Sequence, residues 1–238
     1  MDFKKAFDTV PRANLWNRLE SLGVPAHLRK AIAQIYYEVR FMSTMGVKQG
    51  CPLSPILFGL CIDQLEEIVQ KYVGEEEDRL TIGALTVLIL MYADDVVLLA
   101  NSVKTLQKLM NVLQEFCNVS GLAVNVAKTK AMVIKTHKNR DQPIITYNGQ
   151  EIEIVDNFKY LGIDIPSNHA WWQCAQRRLD AGKAKYYQFE NMCKQSTVQR
   201  WELRAMIFDT CGAQTMLYGV KVWGGSISAS TWNDMEKI

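Results

Sequence analysis

Two hydrophobic periods, helical and extended, alternate along this chain. The first long stretches are helical. Leu15, Leu19 and Leu22 share one face of a stretch that Gly23 and Pro25 end, and Leu28, Ile32, Ile35 and Val39 line a second helix over about 26–38. Residues 39–50 read as an extended hairpin running into GVKQGCPLSP. There Ser54 and Pro55 form a cap and first-position signal for a long helix to about residue 73. After the acidic GEEEDR come β-forming runs: a strand over 85–92, a turn at Ala93-Asp94-Asp95 and a return over 96–100.

Ser102 then caps a helix with Val103, Leu106, Leu109, Met110, Leu113 and Phe116 on its apolar face, and Gly121 stops it. A strand is predicted at about 130–135. Asn148-Gly149 is a two-residue hairpin turn joining ITY to EIEIV, and FKYLGIDI follows directly. From Ser167 the pattern is helical, aromatic and basic, which places a domain boundary near 165. The opening MDFKKAFDTV reads as a short strand end and turn, without the apolar lead-in of a buried strand.

The segment ILMYADDVVLLA poses a physical problem. Adjacent carboxylates disfavour joint ionisation, and burying charge is costly without compensation. Asp94-Asp95 therefore belong either to an exposed turn, where Asp is common, or to a site that a cation completes. If the strand end at Asp2 lies in the same sheet, three carboxylates converge at its edge, which suits a hard divalent cation such as Mg²⁺.

Composition bounds the rest. The 238 residues are 48% apolar, enough for one large domain or two small ones, and the formal charge is only +2. That balance does not announce a nucleic-acid binder, but its distribution is uneven. Residues 51–100 hold nine Asp/Glu against two Lys/Arg, and 101–150 hold two against seven, an acidic centre beside a basic stretch. The six cysteines are scattered without a C-x-x-C pair and read as small buried hydrophobes of a reducing compartment. His169 with Cys174, Cys193 and Cys211 fits no zinc-finger spacing. No run approaches the ~20 apolar residues of a membrane span, and no signal peptide opens the chain, so an intracellular protein is expected, in nucleus or cytoplasm.

DFKKAFDTV, GVKQGCPLSPILF, YADDVVLL, GLAVNVAKTKAM and FKYLGI stand in the order of motifs A to E of reverse transcriptases. AFDTVPR, QGCPLSP, NVAKTK and the late LYGVKVWG resemble the non-LTR, LINE-type retrotransposon polymerases. The resemblance spans nearly the whole chain and is strongest over 2–165. It implies an α+β polymerase palm over 1–165, an antiparallel sheet backed by helices, followed by a helical thumb over 166–238. It also implies RNA-directed DNA synthesis with two Mg²⁺ ions (Mn²⁺ being possible), and RNA template, DNA primer and deoxynucleoside triphosphates as partners.

Carried over by motif position, Asp2 and Asp94 are implied metal ligands, with the Phe3 carbonyl as a further ligand and Asp95 as a third, less directly bound carboxylate. Phe7 takes the steric-gate position beneath the nucleotide sugar, against the alternative of a core Phe. Asp8 is expected to be a local hydrogen-bonding residue. Gln49 and Gly50 are placed against the nucleotide and template base. Lys128 matches the lysine that serves the leaving pyrophosphate, with Lys130 as its nearest competitor. Phe158, Tyr160, Leu161 and Gly162 match the primer grip, or else a plain core strand. In the thumb, Arg177, Arg178, Lys183 and Lys185 are expected at phosphates, while Trp171, Trp172, Tyr186, Tyr187 and Trp201 are expected in the core rather than as base-stacking platforms.

The chain opens one residue before the first motif aspartate, so it is expected to hold palm and thumb without the fingers of the family. Two readings from different classes follow: an RNA-directed DNA polymerase, and a non-catalytic remnant that binds RNA. Another lineage, such as the group II intron maturases, shares the chemistry and differs in its RNA.

Overall fold

The computed structural model describes residues 1–37, 45–48, 50–73, 80–134, 143–195 and 200–236. It divides into two compact units, Met1–Ala131 with Asp141–Ile154, and Met132–Arg140 with Val155–Ile238.

In the first unit the hairpin Ile89–Tyr92/Asp95–Leu98 is antiparallel, with Tyr92 opposite Asp95 and Ile89 opposite Leu98. The chain start pairs beside it. The Met1 amino group donates to the Val96 carbonyl at 2.7 Å, the Val96 N–H returns to the Met1 carbonyl at 3.1 Å, and Asp2 bridges Asp95. On its other edge Phe3 bridges Val124, through Lys4 N–H to the Ala123 carbonyl (2.7 Å) and Asn125 N–H to the Asp2 carbonyl (2.8 Å). The opening residues, which read as a short strand end, are bridged through their backbone on both sides.

The long helices Ser54–Val73 and Val103–Ser120 pack together beneath this ladder. Phe58, Leu65, Leu109 and Leu113 are fully buried and meet Phe3, Val96 and Val124 from the strands in one cluster. Each such side chain contributes roughly 1.5–3 kcal/mol on leaving water. The second helix is bounded as its sequence predicts: Ser102 Oγ accepts from the Thr105 N–H at 3.1 Å, and Gly121 ends it at φ 75°. Its predicted apolar face is displaced at the start, where Val103 is exposed and Thr105 buried. Asn148 and Gly149 both take positive φ, 51° and 73°, as the hairpin Thr146–Tyr147/Gln150–Glu151 requires.

Other expectations shift. On the helix Ala26–Tyr37, Leu28 and Ile35 face solvent and Tyr36 is buried instead, packing with Leu15, Leu19, Val47 and Leu57; Val39 lies outside the described residues. Tyr36 is favoured there because its hydroxyl meets Ser54 Oγ at 3.2 Å and the Arg12 guanidinium lies 5.2 Å over its ring. Ser54 is the first helical residue rather than the cap, and its hydroxyl donates to the Lys48 carbonyl at 2.6 Å. Most of the expected hairpin over 39–50 falls outside the described residues.

The second unit holds the hairpin Asn157–Tyr160/Ile163–Pro166 and the helix Trp171–Gln195. Its core joins Cys174, Ala175, Leu179, Met216, Trp223 and Met235. Trp172, Tyr187 and Trp201, expected inside, are exposed; Trp223 takes the core, stacked on Trp232 at 6.1 Å. The buried stripe of the long helix runs through 174, 175, 179 and 182, and Trp172 and Tyr187 lie off it. Cysteines 117, 174 and 193 are buried as expected, whereas Cys211 is exposed. Burial raises the thiols of Cys61 and Cys117 to about 11, which keeps them unreactive.

Replacing Leu113 by Ala should lower the unfolding free energy by about 2–5 kcal/mol, whereas Val119→Ala, at a position 84% exposed, should change it by less than about 0.5 kcal/mol. Urea titration of the two variants checks the contrast.

Candidate active site: a carboxylate cleft

Antiparallel pairing puts directly opposed residues on the same face of the sheet, so the Asp2–Asp95 bridge sets two carboxylates side by side. Asp94 occupies the adjoining turn with Ala93, whose φ of 51° is costly for a residue with a Cβ. An open cleft of about 560 Å³ lies here, a size typical of small-molecule sites. Asp2, Phe3, Phe7, Asp94, Asn125 and Lys128 are among its lining residues; Asp95 and Gly50 are not.

The like charges at the ladder end are offset locally. Lys128 Nζ stands 3.3 Å from Asp2 Oδ2, and Asn125 Nδ2 donates to the same oxygen at 3.4 Å. The segment Asn125–Lys128 is fastened there by its backbone, since Asn125 N–H donates to the Asp2 carbonyl and the Lys128 and Thr129 N–H groups both return to the Asn125 carbonyl. Lys130 is engaged elsewhere, paired with Glu153 across the parallel bridge of Lys130–Ala131 with Glu153–Ile154. Of the two candidate lysines, Lys128 is therefore the one at the cleft. Its side chain is 72% exposed, so its ion pair contributes at most about 1 kcal/mol to stability. Burial lowers the pKa of the Met1 amino group, against the opposing pull of Asp95 and Asp2.

Oxygen donors remain available. Among the described residues, neither Asp94 nor Asp95 forms a salt bridge, and the Phe3 carbonyl, in a buried residue that lines the cleft, accepts no hydrogen bond. Two carboxylates and a carbonyl suit a hard divalent cation. The three aspartates do not close into a cage: no group of three His, Cys, Asp or Glu side chains is arranged to hold a metal among the described residues, and the same applies to His169 with its cysteines. Phe7 belongs to core and cleft alike, half-buried with its ring 4.9 Å from Phe58. Gln49 lies outside the described residues; Gly50 is exposed at φ 78°.

The remaining candidate residues lie in the second unit. Phe158 and Tyr160 are half-buried on the first strand of its hairpin, and Leu161 and Gly162 form the turn at positive φ. Arg177 pairs with Asp164 at 2.9 Å, and Arg178 donates to the Gly162 carbonyl, so both guanidinium groups already have protein partners. Lys183 and Lys185 are exposed. Asn125 was missed from sequence although it stands in the quoted NVAKTK. The signal was the readiness of Asn to bond nearby backbone and side chains at a chain reversal.

Residues 1–165 match the model of the family "Reverse transcriptase (RNA-dependent DNA polymerase)", and the chain belongs to that family. More particularly, it is similar to proteins of the non-LTR retrotransposons R2 and jockey. It is 28% identical over 184 residues to the Pol polyprotein of the type-2 retrotransposable element R2DM of Drosophila melanogaster, covering 69% of this chain and 17% of that protein. It is 29% identical over 189 residues to the Pol polyprotein of the type-1 element R2 of Nasonia vitripennis, covering 68% and 18%. It is 28% identical over 182 residues to the RNA-directed DNA polymerase of the mobile element jockey of Drosophila funebris, covering 68% and 19%. The chain thus spans less than a fifth of the length of these three relatives.

Asn125→Ala should remove one hydrogen bond from the Asp2 carboxylate and cost about 0.5–1.5 kcal/mol of unfolding free energy, measured by denaturant titration.

Proposed function

We propose that this chain carries the polymerising centre of a non-LTR retrotransposon reverse transcriptase, which adds deoxynucleotides to a DNA primer on an RNA template. The observation that carries this is the meeting of Asp2 and Asp94 in one cleft with the unpaired Phe3 carbonyl. Membership of the family supports it.

In this reading Asp2, Asp94 and the Phe3 carbonyl hold Mg²⁺ or Mn²⁺, and Asp95 adds negative charge from the neighbouring ladder position. A bound pair of such ions supplies charge stabilisation for the attacking and leaving oxygens of an in-line phosphoryl transfer. The protein's own part is placement. The paired strand fixes Asp2, and Asn125 orients its carboxylate. Lys128, on an exposed side chain within reach of Asp2, carries the proton and positive charge that a departing pyrophosphate needs. The Phe7 ring, backed by Phe58, presents a flat wall to the nucleotide sugar and excludes a 2′-hydroxyl. The first unit, an antiparallel ladder backed by two long helices, serves as palm; the helices after residue 166 serve as thumb, and the Leu161-Gly162 hairpin as primer grip. For Gln49 and Gly50 a nucleotide contact rests on the resemblance alone. Among the described residues no helix is long and apolar enough to cross a membrane.

Asp94→Asn should weaken Mn²⁺ binding at least about tenfold while leaving the metal-free protein as stable or more so, because it relieves repulsion without removing a partner. Calorimetric titration and thermal melts with and without Mn²⁺ check this. Equal destabilisation in both conditions would make the pair a structural turn and the chain a non-catalytic remnant.

Single-nucleotide addition to a primer on an RNA template provides the second check. Phe7→Ala should admit ribonucleotides that the wild type rejects. Equal discrimination by both would return Phe7 to the core.

A further inference from the structure

The segment LYGVKVWG, singled out by its sequence but given no task, folds back onto the hairpin turn of its own unit. Tyr218 (φ −58°, ψ 124°) and Gly219 (φ 72°, ψ 14°) have the dihedrals of a type II turn, which needs glycine at its second central position. A Cβ on Gly219 would lie 2.6 Å from Ile163 Cδ1, so glycine also permits the close approach to the strand. The turn aims the Tyr218 hydroxyl at the Leu161 carbonyl, to which it donates at 2.7 Å. It also sets the ring against Gly162, where an added Cβ would sit 3.2 Å from Tyr218 Cε1. Arg178 completes the arrangement: its guanidinium lies 4.8 Å over the Tyr218 ring and donates to the Gly162 carbonyl. From below, the buried Trp223 donates its indole N–H to the Tyr218 carbonyl at 3.1 Å.

Both carbonyls of a two-residue turn are thus tied to side chains from two distant helical segments. Such turns ordinarily leave these carbonyls to solvent, so the tip is held far more firmly than a hairpin requires. We propose that Tyr218 and Arg178 are positioning residues that lock the Leu161-Gly162 turn as a rigid rest for the terminal nucleotide of a primer. The proposal rests on the polymerase reading above, in which this turn meets the primer. It also gives Arg178 a task other than a phosphate contact. Small errors in placing a reactive group carry large rate penalties, which is why such a tip gains from being fixed.

The experiment uses the full chain, an RNA–DNA template–primer with 4-thiothymidine at the primer 3′ end, and the variants Tyr218→Phe and Arg178→Met. Thr210→Ala, which alters an exposed hydroxyl on the same unit, is the control. Three quantities are read: duplex affinity by anisotropy, photo-cross-linking yield to residues 157–166, and amide exchange at Gly162 and Ile163.

Tyr218→Phe should speed exchange at the turn at least tenfold and cut the cross-link several-fold, with affinity kept within twofold. Arg178→Met should act in the same direction, and the control should match the wild type. Unchanged exchange in Tyr218→Phe would show that the hydroxyl does not lock the turn. Faster exchange with an undiminished cross-link would show that the lock does not position the primer; either result overturns the proposal. A wild-type chain that binds the duplex without cross-linking the hairpin, or does not bind it, would instead overturn the reading on which the proposal rests.

Discussion

Everything at the candidate site depends on the backbone ladder that traps residues 1–4 between Asp95–Leu98 and the bridge at Val124. Opposed aspartates repel, and side chains alone would let them part. Backbone hydrogen bonds on both edges of the strand hold them at neighbouring-strand distance regardless. The repulsion is then available to any cation that enters the cleft, and Lys128 supplies part of that charge from the protein. In the proposed reading, the arrangement gives up a little stability at the ladder end to keep a cation site assembled.

A packed cluster lies behind the ladder. Phe3 and Val96 point into the cluster built by Phe58, Leu65, Leu109 and Leu113 while their neighbours Asp2 and Asp95 face the other way, the period-two consequence of pleating. A one-residue slip would bury the carboxylates and expose the phenylalanine, so core and site enforce the same register. Phe7 shows the same economy, one face on Phe58 and the other lining the cleft.

Much of this was legible in the residues. Ser102 and Gly121 bound a helix by local chemistry, and Asn148-Gly149 specifies its turn, so those elements needed no tertiary information. The YADD turn and the DFKKAF opening were readable as neighbours through the order of their motifs, and Asp2 and Asp94 line one cleft. What could not be read was set by long-range packing. The buried face of Ala26–Tyr37 is rotated because Tyr36 finds Ser54 and Arg12, neither of them a sequence neighbour. Trp172 and Tyr187 look like core by type, yet the stripe of their helix that meets Met216 and Trp223 passes them by. Asn125 was legible only as a turn former. Its contact with Asp2, 123 positions away in the chain, follows from a strand pairing that no local pattern records.

The central claim is that Asp2, Asp94 and the Phe3 carbonyl form one divalent-cation site. Paramagnetic broadening by substoichiometric Mn²⁺ in an amide-resolved NMR spectrum tests it without requiring turnover. The account predicts early loss of the Phe3, Asp94 and Asn125 amide signals, reversed by excess Mg²⁺. Early broadening confined to other acidic surfaces, such as the helix around Glu66 and Glu67, with the signals at Asp2 and Asp94 intact, would contradict it.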